Sequence, residues 1–103
     1  SIEIPTGSQS KARFIHLVPN GRPVDIVLDN QTVLKAVKYK DVTEYTDVGP
    51  KTYQVDVLLS ENNQLIRQIQ VTINPGRVYS FYALGNKPNF QIFQSLDGAT
   101  FMK

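Results

Sequence analysis

Apolar and polar residues alternate along much of this chain, and a period of two predicts strands rather than helices. The alternation is clearest over residues 52–59, where Tyr53, Val55, Val57 and Leu59 share one face. Turn signals rich in Gly, Pro, Asn and Asp separate the alternating segments. The predicted strands cover residues 12–18, 24–28, 42–46, 52–59, 65–73, 78–84 and 90–94.

Segment 78–84 differs from the others because nearly all of its residues are β-branched, aromatic or aliphatic. It follows a turn signal at Asn74, Pro75 and Gly76, and it ends at Gly85. This composition predicts a strand that is buried on both faces, or nearly so. We therefore place this strand at the centre of the fold.

Residues 31–39 fit a short helix as well as a strand, because their apolar residues suit both periods. Thr32, Val33 and Val37 are β-branched, and no helix cap brackets the segment. These features favour extended structure. In segment 65–73 the alternation places Leu65 on the same face as Val71.

Seven or eight short strands with frequent turn signals predict an all-β fold, an antiparallel β-sandwich of the immunoglobulin-like or transthyretin-like kind. Residues 1–10 contain three serines, a proline and a glycine, and we interpret them as a leader or interdomain linker. Residues 11–103 are predicted to form a single β-sandwich domain.

Composition excludes several classes of function. The 103 residues carry 11 basic and 9 acidic side chains, a net charge of +2, and this small excess argues against a nucleic acid partner. No apolar run is long enough for membrane insertion by this segment. The chain has no cysteine, so disulfides, thiolate nucleophiles and cysteine zinc sites are excluded.

His16 is the single histidine and the only candidate general base. It alternates with Phe14 and Val18, and no nearby serine or aspartate spacing suggests a nucleophile with an orienting group. We expect a structural role in which its nitrogens hold the turn that contains Gly21. Accordingly, we expect no catalytic residue and no cofactor.

Asp25, Asp29 and Asp56 have the oxygen chemistry of calcium ligands. They lie on separate predicted strands, without the dense spacing of a calcium loop. We therefore expect solvated or hydrogen-bonded carboxylates and no metal site. Asp25 is predicted to pair with Arg13 across two adjacent strands.

Lys35, Lys38 and Lys40 form a small basic cluster around Tyr39. With Tyr45, these residues are the candidate ligand site, and an anionic wall polymer such as teichoic acid is the ligand that they suggest. Protection of an edge strand by lysines explains the same residues without a ligand.

The aromatic residues are five tyrosines and five phenylalanines, with no tryptophan. The alternation assigns five aromatic residues to the core: Phe14, Tyr53, Phe81, Phe90 and Phe93. Tyr79 directly follows a turn and is a candidate tyrosine corner, with its hydroxyl bonded to backbone upstream. Tyr39, Tyr45 and Tyr82 are the tyrosines that we expect to be exposed.

Five separated elements show a family pattern: an opening strand that ends in His16, a Val24-Asp25 strand, Tyr45, a strand start at Gly49, and a strand that begins after Gly76. Together they resemble the bacterial family of domains of unknown function 4397. The resemblance extends from residue 11 to about residue 93, with Asn20 and Asp29-Asn30 as departures from the family pattern. It implies a sandwich domain of secreted, lipid-anchored or wall-associated proteins, often in tandem copies, and it implies no established reaction.

We therefore expect a non-catalytic extracellular or cell-surface module, a spacer or protein-interaction domain of the bacterial envelope. Its expected partners are other envelope proteins or neighbouring domains of the same chain. One alternative is a carbohydrate- or wall-polymer-binding module that uses the residues around Tyr39. A weaker alternative is an accessory domain of an enzyme. The functional expectation depends mainly on analogy of family and fold.

Overall fold

The computed structural model describes residues 9–86 and 89–97, and these form an all-β sandwich. Most of the predicted leader, residues 1–8, lies outside the described residues, as does the final hairpin that residues 98–102 could form. In chain order the strands are β1 (Ser10–His16), β2 (Val24–Leu28), β3 (Gln31–Val37), β4 (Thr46–Val48), β5 (Lys51–Leu59), β6 (Leu65–Ile73), β7 (Val78–Asn86) and β8 (Asn89–Leu96).

The strands form two four-stranded sheets. Sheet A has the order β4-β1-β7-β8, and sheet B has the order β3-β2-β5-β6. Within the described part of the chain, all strand pairs are antiparallel except β1 and β7, which run parallel from the Lys11–Val78 pair to the His16–Ala83 pair. The β-sandwich is therefore confirmed, with one parallel pair inside an otherwise antiparallel architecture.

Strand β7 occupies an inner position of sheet A, between β1 and β8. Tyr79 and Ala83 belong to the core between the sheets, at 2% and 0% exposure. Val78 and Ser80, which alternate with them, are also fully buried. The predicted central strand is thus confirmed, and both of its faces are covered along its first three residues.

The core lies between the sheets and receives side chains from both. Phe14 comes from sheet A, whereas Val24, Ile26 and Val57 come from sheet B. Aliphatic side chains predominate, and burial of each contributes about 1.5–3 kcal/mol to folding before conformational entropy is subtracted. This shared core holds the two sheets together, since none of the named strand pairings joins one sheet to the other.

Residues 31–37 form strand β3, so the extended interpretation is confirmed. The strand is irregular, because its register with β2 shifts on both sides of Ile26 and Ala36 has a left-handed φ of 54°.

The prediction of a strand over residues 42–46 was wrong in its position. Only Val42 forms an isolated bridge, with Ile15, and the regular strand β4 begins at Thr46. The hydroxyl of Thr43 accepts a hydrogen bond from the Phe14 N–H at 2.9 Å. The Thr43 hydroxyl therefore replaces the backbone carbonyl that would accept the Phe14 N–H in a regular antiparallel pair.

The prediction that Leu65, at the start of β6, shares a face with Val71 was wrong. The register passes from Val57–Arg67 to Leu58–Leu65, so Ile66 is an extra residue and forms a β-bulge. The bulge reverses the alternation, and Leu65 is 49% exposed while Ile66 packs against the core.

The β7–β8 hairpin is longer than predicted, because Asn86 and Asn89 are paired strand residues instead of loop. Phe93 was also assigned wrongly, since it is 50% exposed. Phe90 and Ile92 face the core, so alternation directs Phe93 to the outer face of sheet A.

The predicted pair between Arg13 and Asp25 was wrong because their strands lie in different sheets. Arg13 Nε instead donates to Ser80 Oγ at 2.8 Å on the neighbouring strand β7. Its guanidinium carbon lies 4.7 Å from the centre of the Tyr45 ring.

Candidate functional site

His16 closes the turn that leads into β2. The imidazole is 1% exposed, its Nδ1 accepts a hydrogen bond from the Val18 N–H at 3.3 Å, and its Nε2 lies 3.2 Å from the carbonyl of Arg22. A carbonyl only accepts, so these partners assign the tautomer with hydrogen on Nε2. Both nitrogens are therefore used within the turn.

The backbone of His16 holds a second turn, at residues 38–41. Its carbonyl accepts from the Lys40 N–H at 2.7 Å, and its N–H donates to the Asp41 carbonyl at 3.1 Å. The Tyr39 ring meets the imidazole edge-on, with ring centroids 6.4 Å apart. His16 thus connects two turns at one end of the sandwich.

Gly21 packs directly on this imidazole. A Cβ at position 21 would lie 2.8 Å from His16 Cε1 and 2.8 Å from the Val18 carbonyl oxygen. An open cavity of about 420 Å³ lies beside the pair, with Arg22, Gln64 and Phe90 among its lining residues. Because a general base needs a nitrogen within reach of its substrate, the engaged imidazole is poorly placed for catalysis at this cavity.

The candidate basic cluster is exposed. Lys35 lies on β3, and Lys38, Tyr39 and Lys40 lie in the turn that follows. Lys40 has a left-handed φ of 77° at a turn position that favours glycine. The Asp41 carboxylate accepts a hydrogen bond from the Lys38 N–H at 2.8 Å, so the turn also contains a negative charge.

The contacts of Tyr45 are directed away from this cluster. Its hydroxyl donates to Asp97 Oδ2 at 2.5 Å, and its ring lies over Arg13. Ser80 donates to the same carboxylate oxygen at 2.9 Å. Burial, together with the hydrogen bond to Asp97, raises the pKa of Tyr45 above its usual value. The half-buried Tyr45 therefore belongs to a polar network on sheet A. The expectation of exposure was wrong for Tyr45 and for Tyr82, since both are half-buried.

Asp25 joins the strands of sheet B at one end. It is 6% exposed, and its Oδ1 accepts from Ser60 Oγ at 2.6 Å and from the Ala36 N–H at 2.9 Å. These two hydrogen bonds, the Ser60 bond first, lower the pKa of the carboxyl despite its burial. Asp25 thus stabilises the irregular end of β3.

The other two aspartates have partners of their own. Asp29 accepts from Lys51 at 2.5 Å and from the Gln54 N–H at 2.8 Å, and these bonds lower the pKa of Asp29. Asp56 accepts from Gln68 at 2.9 Å. Within residues 9–86 and 89–97, no group of three His, Cys, Asp or Glu residues could hold a metal ion.

Tyr79 is 2% exposed, and its hydroxyl accepts a hydrogen bond from the Asn74 N–H at 2.9 Å. The bond reaches five residues upstream and closes the turn before β7, which is the geometry of a tyrosine corner.

Sequence reasoning missed an apolar row on the outer face of sheet A. Val42 pairs with Ile15, Ile15 with Tyr82, and Tyr82 with Phe93, so four uncharged side chains cross the sheet in register. We call these four residues the apolar row. The row could not be read from the sequence, since it depends on which strands are neighbours.

Replacement of Gly21 by alanine is expected to lower the free energy of unfolding by about 1–3 kcal/mol, because the added methyl group overlaps the imidazole. Denaturant unfolding measures the change. Gly49→Ala is the matched control, since a Cβ there meets only the Tyr53 hydroxyl at 3.7 Å. Equal effects of the two substitutions would contradict the close packing at His16.

Asp25→Asn is expected to destabilise the protein at neutral pH by about 1.5–3 kcal/mol, the range for hydrogen bonds to charged groups. The folded-state pKa is lowered, so the contribution of Asp25 is present above its unfolded pKa, near 4. It is lost as the pH falls through the lower folded pKa. Unfolding measured from pH 7 to pH 2 should show the difference from wild type shrinking with acid, and a pH-independent difference would contradict the assignment.

Among the described residues, there is no helix long and apolar enough to cross a membrane. No match was found among curated proteins. The model of a family described as a domain of unknown function, DUF4397, matches residues 10–100, which confirms the resemblance. The chain belongs to the DUF4397 family.

Proposed function

We propose that this chain is a non-catalytic module, a spacer and protein-interaction domain of a bacterial envelope protein. The observation that carries the proposal is the apolar row across the outer face of sheet A. Its partner is another folded domain, in a neighbouring envelope protein or elsewhere in the same chain, that presents an apolar surface.

The exposure of the row supports an interaction. Val42 is 55% exposed and Phe93 is 50% exposed at its two ends, while Ile15 between them is only 6% exposed. Single exposed apolar residues are ordinary. Here Val42 and Phe93 share one sheet face with the half-buried Tyr82, and a group of apolar side chains on one face often marks a binding site. The pleat and the register hold the four side chains in fixed positions, so little conformational freedom is lost on binding.

The chemistry of the row supports a protein partner. None of its four residues carries a charge, and Tyr and Phe are enriched in the cores of protein interfaces. A polyanion would find no cation within the row itself. The fold supports the spacer role. Hydrogen bonds of the His16 and Tyr79 side chains hold turns at the ends of strands, and a spacer needs turns of fixed shape.

Photo-crosslinking in the cells that produce the protein tests this proposal. A benzoylphenylalanine at position 93 is expected to give a discrete adduct with one protein, and the Tyr82→Ser substitution should weaken that adduct. The same probe at Leu65, equally exposed but on sheet B, is the matched control. Equal adducts from both positions, or none at position 93, would contradict the interface.

Localisation is tested in the same cells. Protease added to intact cells should remove the domain if it is displayed at the surface, as we propose. Full protection until the cells are lysed would contradict an extracellular location.

A second candidate function is binding of an anionic wall polymer by the turn at residues 38–41 and Lys35. The observation that favours it is the left-handed Lys40, because strained non-glycine residues concentrate at functional sites. The side chains of Lys35, Lys38 and Lys40 are all exposed. Tyr39, 39% exposed, lies beneath the Lys40 ammonium at 5.5 Å from its ring centroid.

Co-sedimentation with cell walls, with and without teichoic acid, tests this second function. If it is correct, the protein should pellet at low salt and be released as salt rises. Replacement of Lys35, Lys38 and Lys40 by alanine should abolish pelleting, whereas the matched loss of charge at Lys11, Lys51 and Arg77 should not. Wild-type protein that stays in the supernatant at every salt concentration would rule the polymer out.

A further inference from the structure

The sandwich contains an apolar cavity between its two sheets. The cavity has a volume of about 130 Å³. Its interior lining is aliphatic and aromatic and comes from both sheets. The lining includes Phe14, Leu34, Val55, Val71, Phe81 and Ile92.

The lining residues place the mouth of the cavity at one edge of the sandwich. Gln94 on β8 donates to the Thr72 carbonyl on β6 at 2.9 Å, so these two edge strands lie together on one side. The opposite edges, β3 and β4, face each other on the other side. Val33 of β3 and Thr46 of β4 both line the cavity and are exposed, which marks the gap between these strands as the mouth.

The interior chemistry excludes water as a stable occupant. A buried water needs about two to four polar partners, and apolar cavities of about 150 Å³ stay dry and bind molecules such as benzene. Among the polar lining residues, Thr43 and Thr46 lie on the β4 side, at the mouth, whereas the Tyr53 hydroxyl donates to the Gly49 carbonyl at 2.8 Å. The deeper wall is formed by residues such as Val71 and Ile92.

The shape of the lining favours a chain over a compact ring. It extends from Leu34 on edge strand β3 to Val71 on β6 and Ile92 on β8, the two strands at the opposite side of the sandwich. The cavity therefore runs across the strands from one side of the sandwich to the other, and we call it the slot. A flexible chain could enter at the β3–β4 gap while the rest of its molecule stays in solvent.

We propose that this slot binds the end of an unbranched hydrocarbon chain, as found in an alcohol or a lipid. The two charged lining residues have partners on the outer face of sheet A: Asp47 is bonded to Lys11 at 2.8 Å, and Arg13 to Ser80. Affinity therefore comes from buried methylene groups and not from a charged head. The slot lies on the opposite face of sheet A from the apolar row, so hydrocarbon binding is independent of the protein interface.

NMR titration of the whole chain with 1-hexanol tests the proposal. Saturable shifts are expected at residues that line the slot, and binding should weaken about fourfold when one methylene is removed, as in 1-pentanol. The matched ligand is 1,6-hexanediol, which has the same chain but would bury a hydroxyl without a partner, and it should not bind.

Two variants locate the site. Leu34→Trp fills the slot from the edge strand and should reduce 1-hexanol affinity at least tenfold, with the spectrum of a folded protein. Leu65→Trp makes the same change at an exposed position outside the slot and should leave affinity unchanged.

Several results would overturn the proposal. These are unsaturable shifts spread over the surface, equal binding of 1,6-hexanediol and 1-hexanol, or equal binding by the two tryptophan variants. Tighter binding of benzene than of 1-hexanol would overturn the assignment to a chain. The ligand comparison uses only the wild-type protein, so it decides the question even if Leu34→Trp does not fold.

Discussion

The hydrogen bonds of the His16 imidazole are the constraint on which one end of this sandwich depends. Nδ1 accepts a hydrogen bond from the Val18 N–H, and Nε2 donates to the Arg22 carbonyl. A single side chain thus holds the turn that connects β1 in sheet A to β2 in sheet B. Gly21 is fitted against the same ring. Loss of either bond would leave a buried polar atom unpaired, which costs about 1–3 kcal/mol. The single histidine of the chain is thus engaged in architecture.

The same residue positions the exposed chemistry at that end. Its backbone holds the turn that carries Tyr39 and Lys40, and it does so through two hydrogen bonds. The strain at Lys40 is tolerated because these bonds and the Asp41 carboxylate fix the turn around it. The basic turn is therefore held by hydrogen bonds to β1 and within the turn itself.

The parallel pairing of β1 with β7 organises the rest of sheet A. It places Ile15 beside Tyr82 and so creates the apolar row on the outer face. It also places Arg13 beside Ser80, where the network with Tyr45 and Asp97 begins. The apolar row and this polar network lie next to each other on the outer face of sheet A. Arg13 and Ser80 begin the network, and the next outward pair, Ile15 and Tyr82, belongs to the row.

The two sides of sheet A have separate roles in this account. The outer side offers the apolar row to a protein partner. The inner side contributes Phe14 and Phe81 to the slot between the sheets. Because the strands are fixed by their neighbours and by the turns at their ends, neither surface needs a conformational change to form.

Local patterns predicted most strands, because alternation and turn residues act over a few positions. Strand β2 was predicted with its observed ends, since turn residues bound it on both sides. Leu65 was assigned to the wrong face because a β-bulge depends on the partner strand, which local alternation cannot reveal. The strand predicted from residue 42 begins only at Thr46, and the Thr43 hydroxyl accepts a hydrogen bond from Phe14, 29 positions away, which local alternation cannot reveal.

The candidate sites were harder to predict, because they depend on which strands are neighbours. The pair between Arg13 and Asp25 failed since the chain crosses between sheets after β1. Tyr45 was grouped with the lysines by its sequence position, but its hydroxyl bonds to Asp97, 52 residues away. The apolar row and the slot likewise combine strands that are distant in the sequence.

The measurement that tests the central claim most directly is the tautomer of His16, read from long-range proton–nitrogen NMR correlations at neutral pH. The account predicts one tautomer, with hydrogen on Nε2 and a bare Nδ1, and a ring fixed in that state. A ring protonated on Nδ1 instead, or a mixture averaged by exchange with solvent, would contradict it. Such a result would return His16 to the candidates for chemistry at the neighbouring cavity.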